Sequence, residues 1–351
     1  MSISSEELAD LLERTTHGIS PAATDAIRTA VNSIRIRRIS AELDSAHSHH
    51  LRSTIDAHQE ILDPDAIERF SNVGVYGVDF HHANALACTR QSEPCIVVFK
   101  GFLDLIRYFA SLVTVMSELQ HHRANAVIYD GEGRAHSEVE LFSLAGFSNL
   151  ADFIISGRPL VPLRDMLGSQ AGQNVDLGVA VSTIFILLHE LGHVELGHLR
   201  KGTVRAETTQ IALLEPQALN REQTEELEAD AFALKMIQPE YRALIQSSLI
   251  FALGSFAFLE AFSGGKSKSH PFTFNRLSKL AEASNLSKID RQIVEGWIED
   301  RVRNFRSLSN ARADPGGNII ANIGLTMPRD HALSIIHEVR RRVAADHGVL
   351  G

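Results

Sequence analysis

GVAVSTIFILLHELGHVELGHL, residues 178–199, decides the reading of this chain. An apolar run from Val179 to Leu188 leads straight into His189-Glu190-Leu191-Gly192-His193. The pattern predicts one largely buried helix with a polar patch near its end. His189 and His193 are four apart, so on a helix they project from one face about a turn apart. Two neutral imidazoles so placed can fill two corners of a tetrahedral Zn2+ site. Glu190 is one step round the helix. It is out of reach as a ligand on that face but well placed to take a proton from an attacking water.

A third ligand is predicted downstream, in Thr224-Glu225-Glu226-Leu227-Glu228-Ala229-Asp230-Ala231-Phe232-Ala233-Leu234. Leu227, Ala231 and Leu234 have helical spacing. Glu226 would complete a His2Glu set and leave the fourth corner to water, the pattern of a catalytic rather than a closed structural site. Asp230, four residues on along the same face, could accept the free ring N–H of a ligand histidine and fix its tautomer. Glu222, Glu225 and Glu228 read as a solvated acidic face.

In combination these residues resemble the gluzincin zinc metallopeptidases. Two further stretches narrow the likeness. Ser269-His270-Pro271-Phe272-Thr273-Phe274-Asn275-Arg276-Leu277 resembles an HP-x4-R-[LI] element of the family that holds the CAAX prenyl protease and the HtpX-type heat-shock protease. Asn84-Ala85-Leu86-Ala87, followed by Ile96 to Leu105, resembles that family's strand and helix, and His198, five past His193, fits its histidine spacing. Glu226 to Pro239 is also similar to the third-ligand helix of ImmA-type regulatory peptidases. The resemblance implies His189, His193 and Glu226 as metal ligands and Glu190 as general base. It implies His270 beside the oxyanion, with Asp230, Arg276 and His198 as support. Asn84 and Ala85 would belong to an edge strand that binds extended substrate by β-augmentation. For His270 the other reading is a helix cap ahead of Pro271; Asn84 could instead hold a turn.

The expected fold is α+β and predominantly helical: a zincin-like catalytic domain with an active-site helix and a small edge sheet. Residues 1–70 read as an N-terminal helical region, 71–290 as the catalytic domain with 106–177 inserted, and 291–351 as helical packing. Within these, helices are predicted at 6–13, 23–40, 64–70, 101–122, 224–237, 240–262 and 329–346. A hairpin would pair Ala126–Tyr129 with Val139–Leu144, and 145–177 reads as a loop-rich lid. His47, His49 and His50 read as a surface tract.

A length of 351 residues with 44% hydrophobic content supports a sizeable core. The net charge of −9 argues against nucleic acid as the main partner. The two cysteines, Cys88 and Cys95, are expected as free thiols in a reducing cytoplasm. The apolar runs 179–188 and 248–262 are shorter than the roughly 20 residues of a membrane span, so none is expected. The expected partner is a peptide or protein substrate, and the oligomeric state is left open. The function so implied is zinc-dependent peptide hydrolysis. The alternatives are a regulatory peptidase that cuts one partner protein, and a non-catalytic zincin-fold sensor.

Overall fold

Asp63-Pro64 shows how the sequence sets local structure in the computed structural model of this chain. It describes residues 46–79, 85–90, 93–129, 135–156, 158–199, 221–242, 252–255, 276, 279–280 and 327–346. The helices expected at 6–13 and 23–40, most of 240–262, Asn84 and His270 lie outside them. Helix α1 is Ala46–Ala57 and α2 is Pro64–Ser71. Asp63 caps α2: its Oδ1 accepts the Asp65 N–H at 3.0 Å, and Pro64 takes the first helical position.

Strands β1 (Gly74–Val78), β2 (Ala85–Arg90) and β3 (Glu93–Phe99) form a sheet of order β1-β3-β2. β1 runs parallel to β3 and β2 antiparallel, so β2 is an edge strand of this sheet among the described residues. α1 lies on β1. The Ser48 hydroxyl accepts the Gly77 N–H at 2.9 Å and donates to the Gly77 carbonyl at 3.3 Å. A Cβ at Gly77 would sit 2.6 Å from the His47 backbone carbon, so only glycine permits this approach.

The long helix α3, Lys100–His122, follows β3 directly and buries the expected stripe of Phe102, Leu105, Ile106, Phe109, Leu112 and Met116. A short hairpin of β4 (Val127–Tyr129) and β5 (Ala135–Ser137) leads into α4, Glu138–Ser156. Then come α5 (Ser169–Glu195), α6 (Arg221–Lys235) and α7 (Arg329–Asp346). α5 packs against α3, α6 and the strands β2 and β3. One apolar cluster runs from Leu51 in α1 through these helices to Val339 in α7. The chain also closes on itself just past α6: the Asp63 N–H donates to the Met236 carbonyl and the Gln238 N–H to the Ile61 carbonyl, each at 2.9 Å.

The fold is therefore α+β and predominantly helical, with three corrections to the expected elements. The hairpin partner of Val127–Tyr129 is Ala135–Ser137, and Val139–Leu144 is helical. The alternation at Val139 and Leu141 mimics a strand, but buried Phe142, Ala145, Leu150 and Ala151 continue it at helical spacing. The expected lid at 145–177 is mostly helix; the glycines and prolines that suggested it lie between α4 and α5. α5 begins at Ser169, so it spans 27 residues and is long and apolar enough to cross a membrane by length and composition. Of its most apolar window, 83% is buried inside the protein, where core packing accounts for the apolarity.

Candidate metal and catalytic site

His189, Glu190 and His193 all lie on the buried C-terminal third of α5. Glu226 and Asp230 lie on α6, equally buried. The two helices meet closely because small residues line the contact. A Cβ at Gly192 would stand only 3.1 Å from the Ala229 Cα. That approach lets a carboxylate on α6 reach imidazoles on α5.

Two ring nitrogens and both oxygens of one carboxylate converge there. His189 Nε2 lies 3.2 Å from His193 Nε2 and 3.2 Å from Glu226 Oε2. His193 Nε2 lies 3.3 Å from Glu226 Oε1. Ligands held about 2.0–2.1 Å from one tetrahedral ion stand about 3.3 Å apart. The three contacts have that length, and one ligand atom from each of the three residues lies within 4.8 Å of the others. Among the described residues this is the group of three able to hold an ion.

The surroundings orient these groups. His189 Nδ1 lies 2.9 Å from Asp230 Oδ1. Because a carboxylate only accepts, Nδ1 carries a proton, and in the neutral ring that a metal requires the Nε2 lone pair faces the cluster. Asp230 is itself gripped by Arg276, Nε to Oδ2 and Nη2 to Oδ1, both at 2.8 Å. On the other side His193 Nδ1 meets His198 Nδ1 at 3.0 Å, and His198 Nε2 meets Glu228 Oε2 at 3.2 Å.

Charge balance points the same way. Three buried carboxylates, Glu190, Glu226 and Asp230, share the site with one buried guanidinium, Arg276. Burial alone would lower the His189 pKa. The hydrogen bonds and charges of Asp230 and Glu226 overcome this and hold it up at about 10. Burial would raise Asp230, yet the Arg276 guanidinium, helped by His189, pulls it down to about 2. A site that attracts a proton so strongly offers the same charge to a divalent cation.

Glu190 is buried next to His189, close enough to the sheet that its charge adds to the raised pKa of the Cys88 thiol. The larger causes there are the Cys95 hydrogen bond and burial. Cys88 and Cys95 face each other across β2 and β3 as buried thiols, their Sγ atoms 2.8 Å apart. Ala85 opens β2, buried and paired opposite Val98 on β3. His270 and Asn84, the expected oxyanion and substrate residues, fall outside the described residues.

Two acidic residues differ from their expected roles. Glu225 is buried rather than solvated, and Arg221 Nε donates to its Oε1 at 2.8 Å. The four-residue spacing of Arg221 and Glu225 was the available signal. Glu228 stays exposed but reaches His198.

No curated protein and no solved structure matches the chain. Residues 175–297, the stretch that carries His189, Glu190, His193, Glu226, Asp230 and Arg276, match the model of a peptidase family, Peptidase U49.

Proposed function

We propose that the chain is a zinc-dependent peptidase of the gluzincin pattern. The observation that carries this reading is the convergence of His189 Nε2 and His193 Nε2, 3.2 Å apart, on the Glu226 carboxylate, whose Oε2 lies 3.2 Å from the first and Oε1 3.3 Å from the second. The two imidazoles and the carboxylate fit a zinc ion in donor type, number and spacing. Bound there, the ion would polarise the scissile carbonyl and make the attacking water more acidic.

The chain's own residues supply the rest. Glu190 takes the proton of the attacking water and passes it to the leaving amine. The Arg276–Asp230 pair keeps His189 in the tautomer that presents Nε2. The edge strand β2, packed beside α5, offers backbone groups to an extended peptide. By resemblance His270 is assigned to the oxyanion, Asn84 and Ala85 to the substrate backbone. With two cysteines in so long a chain, a reducing cytoplasm is the compartment this reading assigns.

Metal analysis and peptide hydrolysis test the reading together. The wild type is expected to carry one zinc and to cut an unfolded protein. Glu190→Gln should keep the zinc and lose hydrolysis, whereas Glu226→Ala should lose both. Hydrolysis that persists in Glu190→Gln, or in protein stripped by a chelator, would sink the assignment.

A further inference from the structure

We infer that Glu228 and His198 form a positioning chain that fixes the tautomer of His193 from the side opposite the Arg276–Asp230 pair. The inference rests on the zinc reading above and adds a residue, Glu228, that the motif does not name.

The chain begins with the end of α5. Leu196 is its C-cap, and Gly197 follows in the left-handed region with φ of 71°. The His198 N–H donates to the His193 carbonyl at 3.0 Å, and the Gly197 N–H to the Val194 carbonyl at 3.2 Å. This pair of bonds is the Schellman ending, which needs a residue tolerant of positive φ at this position. It folds the backbone back so that His198 stands over His193. The two rings lie edge to face, 5.2 Å between centroids, and the two Nδ1 atoms are 3.0 Å apart.

Two Nδ1 atoms at that distance share one proton, and Glu228 determines which ring owns it. The Glu228 carboxylate accepts only, so His198 Nε2, 3.2 Å away, carries a hydrogen. A neutral His198 then has a bare Nδ1. That nitrogen accepts the proton from His193 Nδ1, and the His193 Nε2 lone pair is left facing His189 and Glu226. Each assignment follows from the one before. The arrangement mirrors His189, whose Nδ1–H is taken by Asp230. Of the two anchors, Asp230 is buried, whereas the Glu228 side chain is 56% exposed and can be altered without opening the core.

The test uses full-length protein with 15N-labelled histidine, and zinc affinity measured by chelator competition. In the wild type the His198 ring should read as the Nε2–H tautomer. Glu228→Ala should abolish that preference and weaken zinc binding about 10–100-fold, the usual cost of losing such an outer partner. Glu228→Gln, whose amide oxygen still accepts, should recover most of the affinity. His198→Ala and the double variant His198→Ala/Glu228→Ala should be equally weak, because both break one chain. A role in folding alone would lower Tm and leave the His198 tautomer unchanged. Unchanged zinc affinity in Glu228→Ala would overturn the inference. A wild type that takes up no zinc would overturn the metal reading instead. The chain would then be judged on the His198 ring alone, standing if Glu228→Ala abolishes an Nε2–H tautomer and falling otherwise.

Discussion

Arg276 grips Asp230 with two nitrogens at 2.8 Å each, and the pair is buried directly behind His189. Removing the guanidinium leaves a carboxylate buried without its main counter-charge. Arg276→Ala is therefore expected to destabilise the fold by about 3–5 kcal/mol. Arg276→Lys should restore only part of this, because a point charge cannot reproduce the fork. Urea unfolding of the three proteins at neutral pH measures it.

The same pair sets an acid limit. The folded pKa of Asp230, about 2, lies below its ordinary 3.8. A depressed carboxylate stabilises the fold above its unfolded value, and the contribution is lost as pH falls toward the folded one. The stability gap between wild type and Asp230→Asn should thus be full above about pH 4 and shrink between about 4 and 2. Denaturant midpoints across that range test this.

His189 behaves in the opposite sense. Its pKa in the metal-free site is raised from 6.5 to about 10. The stabilising proton is fully present below 6.5 and lost as pH rises through about 10. Metal-free protein should lose stability over that alkaline window. Zinc uptake near pH 8 should release about one proton, because the ligand must be neutral. Calorimetry in buffers of different ionisation enthalpy counts that proton.

Gly192 should reverse the usual helix rule. Alanine in place of a mid-helix glycine normally gains up to about 1 kcal/mol. Here the added Cβ would meet the Ala229 Cα at 3.1 Å and its carbonyl oxygen at 3.2 Å, both backbone atoms of α6. Gly192→Ala is expected to be neutral to destabilising, and Gly192→Val to cost about 1–3 kcal/mol. Both should weaken zinc binding, since moving α6 outward carries Glu226 away from the imidazoles. Thermal melts and chelator competition read the two effects separately.

The centre was legible in the sequence because its signals are local. The spacing of His189 and His193 and the pairing of Glu226 with Asp230 each sit within one turn of a helix. α3 was legible for the same reason: its apolar stripe repeats without interruption. α4 was not, because Val139 and Leu141 alternate like a strand before the helical spacing takes over. The start of α5 was hidden because Ser169 to Leu177 is mostly polar and carries no motif. The contacts of Glu228 with His198 and of Arg276 with Asp230 join residues 30 and 46 positions apart. Periodicity holds no record of such distances; only the Asp230 partner was approached, through resemblance.

The closure past α6 bears on how the protein is made. Gln238 Nε2 donates to the Leu62 carbonyl at 3.0 Å, across 176 residues of chain. Joining ends so distant is slow, because the entropy of a long loop is lost before any contact repays it. The cluster of His189, His193 and Glu226 can therefore assemble only once α6 has been made, later than the histidines themselves.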